Sequence, residues 1–194
     1  MRIRSPHRAG RMGGGIMTAR RGCVHMYTGD GKGKTSAALG IGLRAASAGM
    51  KVCMFQFLKK RGSTAEHVLG LDNMQIFCFN EIHPMFKRPS DMQRTRRGLP
   101  AIVARDLKKA ERIMRNGNFD VIILDEILNC VSEKFIDEEA VMRVLDIKPE
   151  HVELVLTGRG ASKRLIGRAD YVTRLVKVKH PFEKGLCARH GIEY

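Results

Sequence analysis

Apolar and polar positions along the chain switch repeatedly between a strand period and a helix period. Cys23-Val24-His25-Met26-Tyr27 is a short β-prone run that gives way to a loop of Gly and Lys. Thr35–Ala48 is rich in Ala and Leu, with apolar residues at 38, 41, 45 and 48, a helical spacing. Gly49 follows where a glycine ends a helix. Lys51–Leu58 and Gln75–Phe79 read as the second and third strands, and the proline- and charge-rich segment 80–98 as a long loop. Leu99–Arg115 places apolar residues at 99, 102, 103, 107, 110, 113 and 114, one face of an amphipathic helix. Val121–Asp125 reads as a strand by its unbroken apolar run Val121–Leu124, of the kind that parallel sheets bury on both faces. Asp137-Glu138-Glu139 opens a further helix with acids at its positive end. Val152–Leu156 is a strand, Ser162–Ala169 a helix and Tyr171–Val178 a last strand. This alternation predicts an α/β fold with a mainly parallel sheet and helices on both faces.

Composition changes this picture at the amino terminus. Residues 1–22 hold six Arg, no acid and a triple glycine at 13–15, with too little apolar material to pack. They are expected to form a disordered basic arm, with alternative starts at Met12 or Met17, ahead of a single domain over 23–194. The five cysteines are scattered without a CxxC pair, and no apolar run nears the ~20 residues of a membrane span. The expectation is a soluble, cytoplasmic protein.

The net charge of +15 is unevenly spread. Residues 87–115 carry ten basic and three acidic groups, 159–189 nine and two, whereas 116–158 carry three and ten. Clustered positive charge points to an anionic partner, either nucleic acid or a small polyphosphate. A solvated surface would produce the same runs.

The loop after the first strand decides between these. In Thr28-Gly29-Asp30-Gly31-Lys32-Gly33-Lys34-Thr35-Ser36 the glycines let successive N–H groups turn inward, and the following helix N-terminus adds positive potential. Lys34 would reach phosphate oxygens and the Thr35 hydroxyl would hold Mg²⁺. The general pattern GxxxxGK[ST] has Gly where this chain has Thr28, so the loop departs from the usual form. Val121–Asp125 followed by Glu126 supplies the second half, a buried strand ending in carboxylates where Mg²⁺ is held. Thr157-Gly158-Arg159-Gly160 follows a later strand, where Arg159 could pair with phosphate. Together these predict binding of ATP or GTP. The tail from Val178 to Tyr194 reads either as a clamp on the fold or as ligand contact.

The segments YTGDGKGKTSAALGIGLRAASAGMKVCMFQFLK, VIILDEI, ELVLTGRG and VKHPFEKGLCARHGIEY, in order from about Val24 to Tyr194, resemble the P-loop corrinoid adenosyltransferases. The resemblance implies transfer of the 5′-deoxyadenosyl group of ATP to Co(I) of a reduced corrinoid, with release of triphosphate. It implies ATP contacts from Thr28 to Ser36 and from Arg159, and leaving-group stabilisation by Lys34 and Lys32. It also implies a Mg²⁺ (or Mn²⁺) site at Thr35, Glu126 and Asp125, a reduced flavoprotein as electron donor, and a homodimer. Better-known members carry a Phe and a Trp that help remove the lower ligand of cobalt. This chain has no Trp, and Phe79, Met85 and Phe86 are the candidates in its place. The resemblance favours polyphosphate over nucleic acid as the anion. A RecA-like nucleic-acid-stimulated ATPase and a non-catalytic nucleotide-binding module are the alternatives.

Overall fold

A computed structural model describes residues 21–60, 62, 64–79, 89–116 and 118–193. The basic arm, apart from Arg21 and Gly22, and also Met85, Phe86 and Tyr194, lie outside the described residues. Along the chain the elements are β1 (Val24–Thr28), α1 (Lys34–Ser47), β2 (Val52–Gln56), β3 (Met74–Cys78) and α2 (Pro89–Arg115). They continue with β4 (Val121–Asp125), α3 (Ile127–Ser132), α4 (Glu138–Asp146), β5 (Glu153–Thr157), α5 (Lys163–Ile166) and β6 (Tyr171–Arg174). Short 3₁₀ turns occupy Ala65–Val68 and Pro181–Lys184.

The strands form one six-stranded parallel sheet in the order β3-β2-β4-β5-β1-β6. Because side chains alternate across a strand, each strand serves two cores. On one face Val52, Met54, Ile123 and Val155 pack under α1, whose Ala38, Ala45 and Ala46 let the helix lie close to the sheet. On the other face Cys53, Phe55, Ile122, Leu124 and Leu154 pack with Leu99, Val103 and Leu107 of α2, Val141 and Leu145 of α4, and Leu165 of α5. β2 and β4 are buried at every position, which explains their unbroken apolar runs. β6, at the sheet edge, is exposed at all four positions.

Three features differ from expectation. The segment read as loop up to residue 98 is helical from Pro89, so α2 begins ten residues before Leu99. Proline lacks the N–H that a first helical turn leaves unused, so Pro89 marks a helix start and not only a loop. Pro100 lies within the same helix and is exposed. α3, six residues directly after β4, is too short for a periodic signal and was not predicted. The last strand ends at Arg174, four residues before Val178. No described helix is long and apolar enough to cross a membrane.

Candidate functional site

The predicted residues converge at the carboxyl ends of β4, β5 and β1, three neighbours in the sheet, where open parallel sheets place ligands. β1 ends at Thr28 and runs into the loop to α1, in which Gly29 and Gly33 adopt φ of 104° and 108°. A side chain at Gly29 would also meet the backbone oxygen of Leu175 at 2.3 Å, so the position requires glycine on two counts. The loop is braced from the chain after β6. Gly31 N–H donates to Leu175 O at 2.9 Å, and Leu175 N–H donates to Thr28 O at 2.8 Å.

Lys34, the first residue of α1, curls back over this loop. Its Nζ donates to Gly29 O and Gly31 O, both at 2.8 Å. Burial pulls its pKa down, against the opposing charge of Glu126 and with the help of Arg159. Lys32 is half-exposed and pairs at 3.2 Å with Glu193 in the tail, which places the carboxyl-terminal segment on the loop as a clamp. Asp30 is exposed; its own backbone N–H and that of Lys177, which donates to Oδ1 at 3.4 Å, hold its carboxyl below the usual range. Ser36 is exposed on the first turn of α1.

The next residue after Lys34 reaches across the sheet edge. Thr35 Oγ1 donates to Asp125 Oδ1 at 2.9 Å, and Thr157 Oγ1, from β5, donates to the same oxygen at 2.6 Å. Asp125 has no solvent exposure. Its other oxygen accepts from Lys59 Nζ at 2.7 Å, and Lys59 also lies 3.3 Å from Thr35 Oγ1. Burial lowers the Lys59 pKa, but the charge and hydrogen bond of Asp125, with Glu126 and Glu66, outweigh it and raise the value. Glu126 turns away from the strand with φ of 65°, and its N–H donates to Thr157 Oγ1 at 2.9 Å. Burial, reinforced by the neighbouring Asp125 charge, pushes its carboxyl up.

The Thr157–Ala161 loop is fixed from α3. Asn129 Oδ1 accepts from Arg159 N–H, and Ala161 N–H donates to Thr28 Oγ1 at 3.5 Å. Gly158 has φ of 138°, and a Cβ there would lie 2.7 Å from Asn129 N, so only glycine lets the loop pass α3. The Arg159 side chain is exposed and lies within electrostatic reach of Asp30, Lys34 and Glu126.

The structure thus brings Thr28 to Thr35, Asp125, Glu126 and Arg159 to one edge and adds three groups that sequence reasoning missed. Thr157 stood in a quoted motif without a role. Lys59 closes the first segment that carries the family resemblance, with no role attached to it. Asn129 lies on the unpredicted α3. A fourth cluster lies one strand away. Gln56 of β2 contacts both Cys78 Sγ of β3 at 3.5 Å and His67 at 2.8 Å, and Cys78 Sγ in turn meets His67 Nε2. No spacing in the sequence foretells that Cys–His contact. Phe79 is buried and stacks with Phe55 at 6.1 Å, so its ring is used in the core.

Among the described residues no group of three or more His, Cys, Asp or Glu could hold a metal ion. The hard oxygens of Thr35, Asp125 and Glu126 instead suit Mg²⁺, which is bound by one or two carboxylates together with substrate phosphates. A cavity of about 310 Å³ lined by Arg21, Gly22, Lys148, Glu150 and Asp170 sits by the amino ends of β1, β5 and β6 and shares no residue with this site.

Parallel strands, a glycine loop closing on Lys34 and a strand-end carboxylate define an α/β protein of the P-loop NTPase-like class. A KaiC-like protein from Pyrococcus horikoshii OT3 shares the fold, with a TM-score of 0.52 over 82% of this chain and 75% of that one, at 16% identity. Residues 20–194 match the family model of the ATP:corrinoid adenosyltransferases BtuR/CobO/CobP. The chain is 32% identical over 178 residues to a corrinoid adenosyltransferase of Escherichia coli K12, covering 90% of this chain and 86% of that protein. It is 31% identical over 178 residues to the corrinoid adenosyltransferase CobA of Salmonella typhimurium LT2, with the same coverage. The chain belongs to the ATP:corrinoid adenosyltransferase family of enzymes.

Proposed function

We propose that the chain transfers the 5′-deoxyadenosyl group of ATP to the Co(I) centre of a reduced corrinoid, cobalamin or a precursor, and releases triphosphate. The observation that carries this reading is the convergence of Lys34, Thr35 and Asp125 at the sheet edge in a member of this family. In the reaction the Co(I) electron pair attacks C5′ and the C5′–O bond breaks. The bonding electrons leave with the triphosphate, and cobalt ends as alkylated Co(III). The nucleophile belongs to the substrate, so the protein's work is alignment and charge stabilisation.

Lys34 is placed to release the Gly29 and Gly31 carbonyls and donate to phosphate oxygens instead. Lys32, Arg159 and the N-terminal end of α1 would add positive potential where leaving-group charge builds. Thr35, Asp125 and Glu126 would hold Mg²⁺ or Mn²⁺, which supplies neutralisation of the triphosphate when bound. A reduced flavoprotein as electron donor, a homodimer and a cytoplasmic location complete the proposal.

Anaerobic mixing of the protein with ATP, Mg²⁺ and chemically reduced cobalamin, followed by absorbance, tests it. The expected result is a light-sensitive alkylcobalamin spectrum with stoichiometric triphosphate. Inorganic phosphate as the product, raised by added RNA or DNA, would favour a nucleic-acid-stimulated ATPase instead. Bound corrinoid without alkylation, with Lys34→Ala indistinguishable from the parent, would overturn the reading.

A further inference from the structure

Asp125 is a fully buried carboxylate whose compensating charge comes from Lys59. Burying an ion is tolerable only when it is paired and hydrogen-bonded, and Asp125 is both. The pairing is placed with care. Lys59 Nζ lies 2.7 Å from Asp125 Oδ2 and 3.3 Å from Thr35 Oγ1, so one ammonium touches the two oxygens that would otherwise face a divalent cation. The backbone is bent to put it there. Leu58, a buried leucine, has φ of 58°, a left-handed conformation that bulky side chains avoid. That turn, directly after β2 ends at Gln56, directs Lys59 toward β4. Strain of this kind persists where the surroundings enforce it, and it clusters at functional sites.

We infer that Lys59 is a resident counter-ion that holds the metal position until nucleotide binds, so that the divalent cation enters only together with the nucleotide. The inference rests on reading this edge as a site for Mg²⁺ and a nucleoside triphosphate, and it is independent of the adenosyl acceptor. A free divalent cation approaching Asp125 would have to displace the ammonium and would then sit beside it, two like charges in a partly buried pocket. The triphosphate removes that conflict. Its oxygens give Lys59 a new partner, Thr35 and Asp125 are freed for the metal, and Lys59 becomes a third lysine on the triphosphate beside Lys34 and Lys32. Metal and nucleotide are then coupled through one side chain, and each strengthens the binding of the other.

Mn²⁺ binding read by electron paramagnetic resonance, without corrinoid, tests this. The unsubstituted protein should bind Mn²⁺ weakly alone and much more tightly with ATP present. Lys59→Met, which keeps the bulk and removes the charge, should bind Mn²⁺ alone about tenfold more tightly or better, and the gain from adding ATP should shrink. Lys59→Arg keeps the charge and should bind free Mn²⁺ as weakly as the parent. Equal Mn²⁺ affinity in Lys59→Met and the parent without ATP would overturn the inference, as would Lys59→Arg behaving like Lys59→Met. If Lys59→Met does not fold, the parent decides alone, since Mn²⁺ binding that is equally tight with and without ATP contradicts a lysine-guarded site. A fluorescent ATP analogue titrated with Mg²⁺ present separates the two levels. Its failure to bind would refute the nucleotide reading itself and the inference with it.

Discussion

Thr35 and Asp125, ninety residues apart in the chain, are joined by a 2.9 Å hydrogen bond from the threonine hydroxyl to a carboxylate oxygen with no solvent exposure. That bond ties the first turn of α1 to the end of β4, and so ties the phosphate loop to the sheet. Thr157 from β5 donates to the same oxygen at 2.6 Å, so three elements meet on one buried atom. The arrangement serves stability before any ligand arrives.

Asp125→Ala should therefore unfold more easily than its partners' variants. It strands the Lys59 ammonium and two hydroxyls, and because Lys59 keeps one-fifth of its side-chain exposure the loss should fall at the low end for a broken buried pair, about 3 kcal/mol. Thr157→Val removes two hydrogen bonds, one donated to a carboxylate that keeps two others and one accepted from Glu126 N–H, and should lose about 2 kcal/mol. Urea unfolding without nucleotide compares the two. Equal losses would mean that Asp125 does not hold the junction.

Lys34→Ala should separate function from stability. Among the described residues the ammonium has only the Gly29 and Gly31 carbonyls as hydrogen-bond partners, so the melting temperature should change little. Losing a donor to the leaving triphosphate should lower kcat/KM for alkylcobalamin formation by about a hundredfold or more. Lys32 is half-exposed and pairs with Glu193, so Lys32→Ala should show a much smaller drop. The two variants are compared by triphosphate release. Equal deficits would contradict the ranking.

What could be read in the sequence was what local pattern encodes. The helical spacing of Ala38, Ile41 and Ala45, the unbroken Val121–Leu124 run and the glycine-lysine loop each report on their own neighbourhood, and the strand–loop–helix arrangement follows from them. Asp125 and Glu126 could be singled out by type and place. Their division, with Asp125 buried under two threonines and Glu126 turned aside at φ of 65°, depends on strands far apart in the chain. Lys59 was invisible for the same reason, since nothing local tells a lysine aimed at a buried carboxylate from one facing solvent. The early start of α2 was hidden by Pro89, which reads as a break although proline also begins helices. Glu193 meets Lys32 across almost the whole chain, beyond any window of periodicity.

The tail contact should titrate far below neutrality. The Arg189 side chain, the Arg189 backbone N–H and Lys32 hold the Glu193 carboxyl down to about 2, against an ordinary value of 4.5. A carboxyl depressed by folding contributes stability that is complete above its unfolded value and lost as the pH falls through the folded one. The clamp on the loop should thus be unchanged at neutral pH and release as the pH falls from about 4.5 to about 2. The side-chain ¹³C shift of Glu193, assigned with Glu193→Gln, follows it directly. A midpoint near 4.5 would show that Glu193 holds neither Arg189 nor Lys32 in solution.

Glycine substitutions at two positions should have opposite signs. Gly158, at φ of 138°, would place a Cβ 2.7 Å from Asn129 N and 2.8 Å from Leu128 Cβ. Gly158→Ala must therefore either strain the backbone or push the Thr157–Ala161 loop off α3, and should cost about 2 kcal/mol or more. Either response moves Arg159, whose N–H is held by Asn129, so ATP affinity should fall along with stability. Gly40 lies within α1 with nothing within 4 Å of a Cβ built on it. Gly40→Ala should restrict only the unfolded chain and improve helix propensity, a gain of about 0.5–1 kcal/mol. Thermal unfolding of the two variants, with ATP binding measured on each, distinguishes a general tolerance for alanine from a requirement at the loop. If Gly158→Ala melted like the parent and bound ATP equally well, the close passage of this loop over α3 would not be what positions Arg159.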